Sequence, residues 1–126
     1  MRNNWMAGVI LIVIAGVLDA CSSGTAREAV VIAGGDSRRG SAAIIRYGCG
    51  SCHTISGIRS ATGLVGPPLI GIRNRTYVAG ILENRPDNLE SWIRNPKSLN
   101  PKTAMPVLGV SAQDAADIAA YLYSVN

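Results

Sequence analysis

YGCGSCHTI, Tyr47 to Ile55, sets two cysteines three positions apart with a histidine directly after the second. Four chemistries use such a spacing: a disulfide, a metal corner, a redox dithiol and the attachment of a cofactor. The rest of the chain weighs between them, because past residue 20 it holds one His (His53), one Met (Met105) and three Cys (Cys21, Cys49 and Cys52). Structural zinc takes four N or S ligands, and Cys49, Cys52 and His53 supply three, with an adjacency unlike a finger. A thioredoxin-like dithiol opens a helix within a βαβ pattern, and no strand-rich pattern surrounds this one. A plain disulfide leaves His53 unexplained.

C-x-x-C-H is the attachment signature of c-type haem. Two thiols add to the two vinyl groups on one porphyrin edge, and the next residue brings its imidazole to the iron. With no second His, ligation by two imidazoles within the chain is impossible. The remaining soft donor is the thioether of Met105, in NPKTAMPVLG (Asn100–Gly109), where Pro101 and Pro106 stiffen the backbone. Core filling is the alternative for a lone Met, though a loop between prolines is an odd place for it.

The composition fits a bulky guest. The 126 residues make one small domain, and Phe is absent. A domain of this size normally draws its core from several large aromatic side chains. Here there are two Trp and four Tyr, and a haem would supply the missing apolar bulk. Net charge is +4, unevenly placed: Arg38, Arg39, Arg46, Arg59, Arg73 and Arg75 span a stretch without an acid, whereas most acids come later. Such a face attracts acidic partners or anionic membranes, or is simply solvated. Basic runs with interleaved aromatics, the mark of nucleic-acid binding, are missing.

Residues 1–20 read as an export signal. WMAGVILIVIAGVL (Trp5–Leu18) is continuously apolar. As a helix it would rise about 21 Å, short of the ~30 Å hydrocarbon core, so it suits a signal-peptide core better than a permanent span. LDAC (Leu18–Cys21) resembles a bacterial lipobox, which implies lipidation of Cys21, although Asp19 departs from the pattern. A plain signal cut near Ala20 is the alternative. Residues 21–36 read as a tether ahead of a domain over residues 37–126. The AVVIA within it (Ala29–Ala33) could instead form a strand or pack on the domain.

The domain reads as all-α: three to five short helices with long loops. RRGSAAIIRYG (Arg38–Gly48) shows a first helix whose face is Ala43, Ile44 and Tyr47. Ile55–Ile72 is glycine-rich loop, and Pro67-Pro68 forbids a helix there. Arg75–Leu82 suggests a short helix. Asp87–Pro96 is a clearer one, opened by Asp87 and Glu90 in a capping-box-like spacing, with Leu89, Trp92 and Ile93 as its face and Pro96 as its stop. Ser111–Val125 is the last, capped by Ser111, with Ala115, Ile118, Ala119, Leu122 and Val125 in one stripe. Its small alanines invite the first helix, crossing at Gly40 or Ser41.

Taken in order, GCGSCHTI, GPPL (Gly66–Leu69), NRTYVAG (Asn74–Gly80), LESWIRNP (Leu89–Pro96), TAMP (Thr103–Pro106) and IAAYLYSV (Ile118–Val125) resemble a single-haem class I cytochrome c, over roughly Gly34 to Val125. The chain is especially similar to the cytochrome c domains associated with bacterial haem-copper oxidases. The resemblance implies a small cytochrome c fold round one covalent haem c. Cys49 and Cys52 would carry the thioethers, with His53 and Met105 on the iron. The carbonyl of Pro67 would accept from the other imidazole nitrogen, and Leu69 would pack on the haem. Arg75 and Trp92 would bond a buried propionate, with Tyr77 a weaker candidate. The implied function is electron transfer rather than catalysis. A terminal oxidase would accept the electron, and a quinol-oxidising complex or periplasmic dehydrogenase would donate it. The protein would work at the periplasmic face of a bacterial membrane, anchored by lipid, with neither nucleic acid nor small-molecule substrate. The rival readings are a haem enzyme or gas sensor with an open distal site, and a fixed relay subunit of a larger respiratory complex.

Overall fold

The computed structural model describes Ile32 and residues 34–126. The export signal, Cys21 and most of the tether lie outside the described residues. Helix α1 (Ser37–Arg46) begins where the carboxylate of Asp36 accepts from the Arg39 amide at 2.9 Å, satisfying one of the unpaired donors of the first turn. It ends at Tyr47, and Gly48 then adopts φ 69°, a left-handed backbone that glycine takes without strain. That turn delivers the chain straight into a 3₁₀ turn over Cys49–Ser51.

The C-terminal helix α4 (Ala112–Ser124) starts at Ser111, whose hydroxyl accepts from the Asp114 amide at 3.1 Å. Ala115, Ile118, Ala119 and Leu122 are buried along it, and so are Ala43 and Ile44 on α1. The two helices cross at Gly40, where a Cβ would sit 2.6 Å from the Asp117 carbonyl carbon and nearer still to its oxygen. Asp117 is 1% exposed, yet its charge is answered. Arg39 donates to its two oxygens through Nε and Nη2, both at 2.8 Å, and the Asp36 amide donates at 2.7 Å. The Arg39 guanidinium, more than burial can oppose, holds this carboxyl below the usual carboxylate range. At the other end of the crossing, Arg46 and the Tyr47 hydroxyl both bond Asp114, at 2.6 and 2.7 Å.

Three expectations need correction. Arg75–Leu82 is not a helix: β1 (Tyr77–Val78) pairs antiparallel with β2 (Leu82–Glu83), Val78 opposite Leu82. Ala79 and Gly80 turn between them at φ 53° and 73°, a backbone that no helix contains, and β-branched Val78 suits the ladder. Helix α2 (Pro86–Arg94) begins one residue before Asp87, with Pro86 supplying a preset φ in its first turn and Arg85 at the cap. Asp87 and Glu90 form no capping box; Asp87 pairs with Arg85 at 2.9 Å. Pro96 lies just beyond the end of α2 and opens one further helical turn, α3 (Pro96–Leu99), capped by Asn95. Leu89 and Ile93 of α2 are buried, and α2 packs on α4.

The end of the segment read as a tether is packed. Ile32 is 4% exposed and belongs to the core. Gly34 accepts from the Gln113 side chain at 2.7 Å, and a Cβ on Gly35 would meet the Ala116 carbonyl oxygen at 2.6 Å. Packing on the domain is thus the reading of AVVIA that holds at Ile32. Among the described residues, no helix is long and apolar enough to cross a membrane.

Candidate functional site

A cavity of about 480 Å³ opens inside the helices, walled by buried Ile44, Leu89, Ile118 and Leu122. Its lining is mainly apolar, so the core is shaped for a large apolar guest.

The cavity collects every sequence-predicted haem residue. Cys49, Cys52, His53, Pro67, Leu69, Arg75, Trp92 and Met105 all line it. Cys49 and Cys52 are unbridged thiols, and burial pushes the Cys49 thiol up, so it stays neutral. His53 Nδ1 lies 2.7 Å from the Pro67 carbonyl oxygen. A carbonyl only accepts, so Nδ1 carries a proton, and in the neutral ring Nε2 is then the nitrogen with the lone pair. Gly66 leaves room for the ring: a Cβ there would come within 2.6 Å of Nδ1 and nearer still to Cε1. Around it, the Gly66 amide donates to Cys52 O and the Leu69 amide to Thr54 O, both at 2.8 Å.

Met105 is half-buried on a loop built by short-range bonds. Its amide donates to Thr103 Oγ1 at 3.2 Å, the Thr103 amide to Asn100 O at 3.0 Å, and the Lys97 ammonium to Thr103 O. Among the described residues, Arg75 is the one side chain of formal charge in the lining, and no carboxylate lines it. Its Nη2 donates to the carbonyls of Pro68 and Ile70 and so fastens the Pro67 segment.

The sequence profile of cytochrome c covers residues 37–126. The chain belongs to the cytochrome c family. It is therefore a haem electron-transfer protein, and covalent haem c is its cofactor. Cytochrome c oxidase subunit 2 of Alkalihalophilus pseudofirmus (strain ATCC BAA-2126 / JCM 17055 / OF4) is 38% identical over 79 residues, 62% of this chain and 22% of that protein. The subunit 2 of Bacillus subtilis (strain 168) is 30% identical over 77 residues, 60% of this chain and 22% of that protein. A cytochrome c homolog of Bradyrhizobium diazoefficiens is 32% identical over 92 residues, 62% of this chain and 49% of that protein. This cytochrome c thus spans about a fifth of the oxidase subunits and about half of the homolog. No solved structure matches.

Sequence reasoning missed three contributors. Gly66 gives way to the His53 ring, and its place before two prolines was the available signal. Asn84 donates to Ile72 O and Arg75 O at 2.6 and 2.7 Å, and Tyr123 donates to Asn84 Oδ1 at 2.5 Å. No local pattern announces a bond across 39 residues.

Proposed function

We propose that this cytochrome c carries electrons one at a time through a single haem held by His53 and Met105. The observation behind this reading is that the attachment motif, a His whose Nδ1 bonds the Pro67 carbonyl and the one thioether past residue 20 line one apolar cavity. Cys49 and Cys52 would hold the haem as thioethers, each S–H adding across a vinyl group with nothing leaving. Haem would supply a one-electron ferric/ferrous couple, and Met105 sulfur with the apolar lining would disfavour the ferric charge and raise the potential. Pro67 fixes the His53 ring and its donor strength. Arg75 and Trp92, which line the cavity, would meet a propionate, and Leu69 would cover the ring. We read the protein as a carrier and not an enzyme because His53 and Met105 would both be engaged in holding the iron.

A terminal oxidase is the proposed acceptor, since relatives are named cytochrome c oxidase subunit 2. A quinol-oxidising complex or periplasmic dehydrogenase is the proposed donor. The proposed setting is the periplasmic face of a bacterial membrane, reached by an export signal and held by lipid on Cys21.

The optical spectrum tests the ligand set. The oxidised protein is expected to be low-spin, with the weak long-wavelength band given by Met sulfur on ferric iron. Met105→Ala should keep the covalent haem, lose that band, turn high-spin and lower the potential. A wild-type spectrum that is high-spin without the band overturns the Met105 assignment.

A further inference from the structure

Pro67 and Pro68 have no amide hydrogens, so this segment cannot fasten itself by its own amides. It is held at Gly66 and Leu69 by backbone bonds, and from the far side by Arg75 on Pro68 O and Ile70 O. Arg75 in turn has to be placed. It ends the tight turn Ile72–Asn74, and its amide donates to Ile72 O at 3.1 Å. The side chain of Asn84 spans that turn, donating to Ile72 O at 2.6 Å and to Arg75 O at 2.7 Å. The Asn84 amide donates to Thr76 O at 2.9 Å. Its own Oδ1 accepts from Tyr123 on α4 at 2.5 Å. The Asn84 carboxamide is therefore used at both ends. It is also poorly replaceable: a carboxylate of the same size offers acceptors where two carbonyls need donors.

We propose that Asn84, held by Tyr123, is the positioning residue that sets the His53–Pro67 hydrogen bond through Arg75. The bonds run unbroken from α4 to the imidazole: Tyr123, Asn84, Arg75, the Pro67–Pro68 segment, His53. A carbonyl drawing on Nδ1–H makes Nε2 the better donor, which favours the oxidised metal. Loosening the link weakens that donation and raises the potential. The assignment rests on the reading of His53 as an iron ligand.

The test uses the purified full-length holoprotein, with three variants: Asn84→Asp, Tyr123→Phe and Asn88→Asp. The last removes a nearby amide bond, Asn88 to Glu83 O at 2.9 Å, that lies off the chain of bonds. Exchange of the His53 Nδ1 proton is followed by NMR in the diamagnetic reduced protein, together with midpoint potential and melting temperature. Asn84→Asp should speed that exchange about tenfold or more; because its new carboxylate by itself lowers the potential, the rise in potential is read from the charge-neutral Tyr123→Phe. Tyr123→Phe should speed exchange by less, and it carries the test alone if Asn84→Asp does not fold. Asn88→Asp should lower the melting temperature and leave exchange at wild type. If the Asn84 and Tyr123 variants melt early while exchange in both and the potential of Tyr123→Phe stay at wild type, the positioning role is overturned and Asn84 is merely structural. A wild-type holoprotein without His-ligated low-spin haem overturns the underlying reading as well.

Discussion

Gly66 matters for the side chain it lacks. The His53 ring occupies the space where its Cβ would be, with Nδ1 2.6 Å from that point. The ring cannot retreat without giving up the Pro67 carbonyl. Gly66→Ala should therefore strip His53 from the iron in a sizeable fraction of molecules, seen as loss of the low-spin spectrum while haem stays covalently attached. An unchanged spectrum would show that the loop yields instead. The cysteines, His53 and Met105 were legible because their chemistry is rare in this chain. Gly66, Asn84 and Tyr123 were not, because their importance comes from neighbours that only folding brings near.

At the scale of elements, the crossing of α1 and α4 is the most demanding contact. Alanine normally improves a helix by about 1 kcal/mol over glycine. At Gly40 the added methyl would press on the Asp117 backbone, which is not a flexible side chain that can swing away. Gly40→Ala should destabilise, at the upper end of the roughly 1–3 kcal/mol typical of overpacking, measured by denaturant melting. The same crossing sets an acid limit. The Asp117 pKa is lowered in the folded state by Arg39, so its contribution is whole above the unfolded value of about 3.9. It is lost as pH falls from there through the folded pKa. Asp117→Asn should be less stable at neutral pH and should flatten the loss of stability below pH ~4. A variant as acid-sensitive as wild type would assign that limit to other carboxylates. Helices α1 and α4 could be read in advance because a 3.6-residue stripe is intrinsic to each. The short apolar run Tyr77–Leu82 carries no such period, and its hairpin is decided by the turn at Ala79 and Gly80 and by pairing that sequence periodicity does not report.

For the whole molecule, the proposed lipid on Cys21 makes a clear prediction. Cys21→Ser should release the protein from membranes into the soluble fraction on cell fractionation. Retention of that variant would point to an uncleaved apolar segment or to a tightly held partner.

The clasp at the start of the domain bears on how such an attachment is felt. Gly34–Asp36 hold α4 on the side of Gln113, Ala116 and Asp117, whereas Ile118 and Leu122 turn to the cavity. At about 100° per residue, Ala116 and Ile118 point in widely separated directions. Under the proposed anchor, a pull on the leading chain would reach α4 first, through the Asp117–Arg39 bracket, and its path onward to His53 would be the bonds from Tyr123 through Asn84 and Arg75. An anchor at Cys21 would then hold the molecule by its back, with a bonded path through Tyr123 from that hold to one of the two side chains proposed to grip the metal.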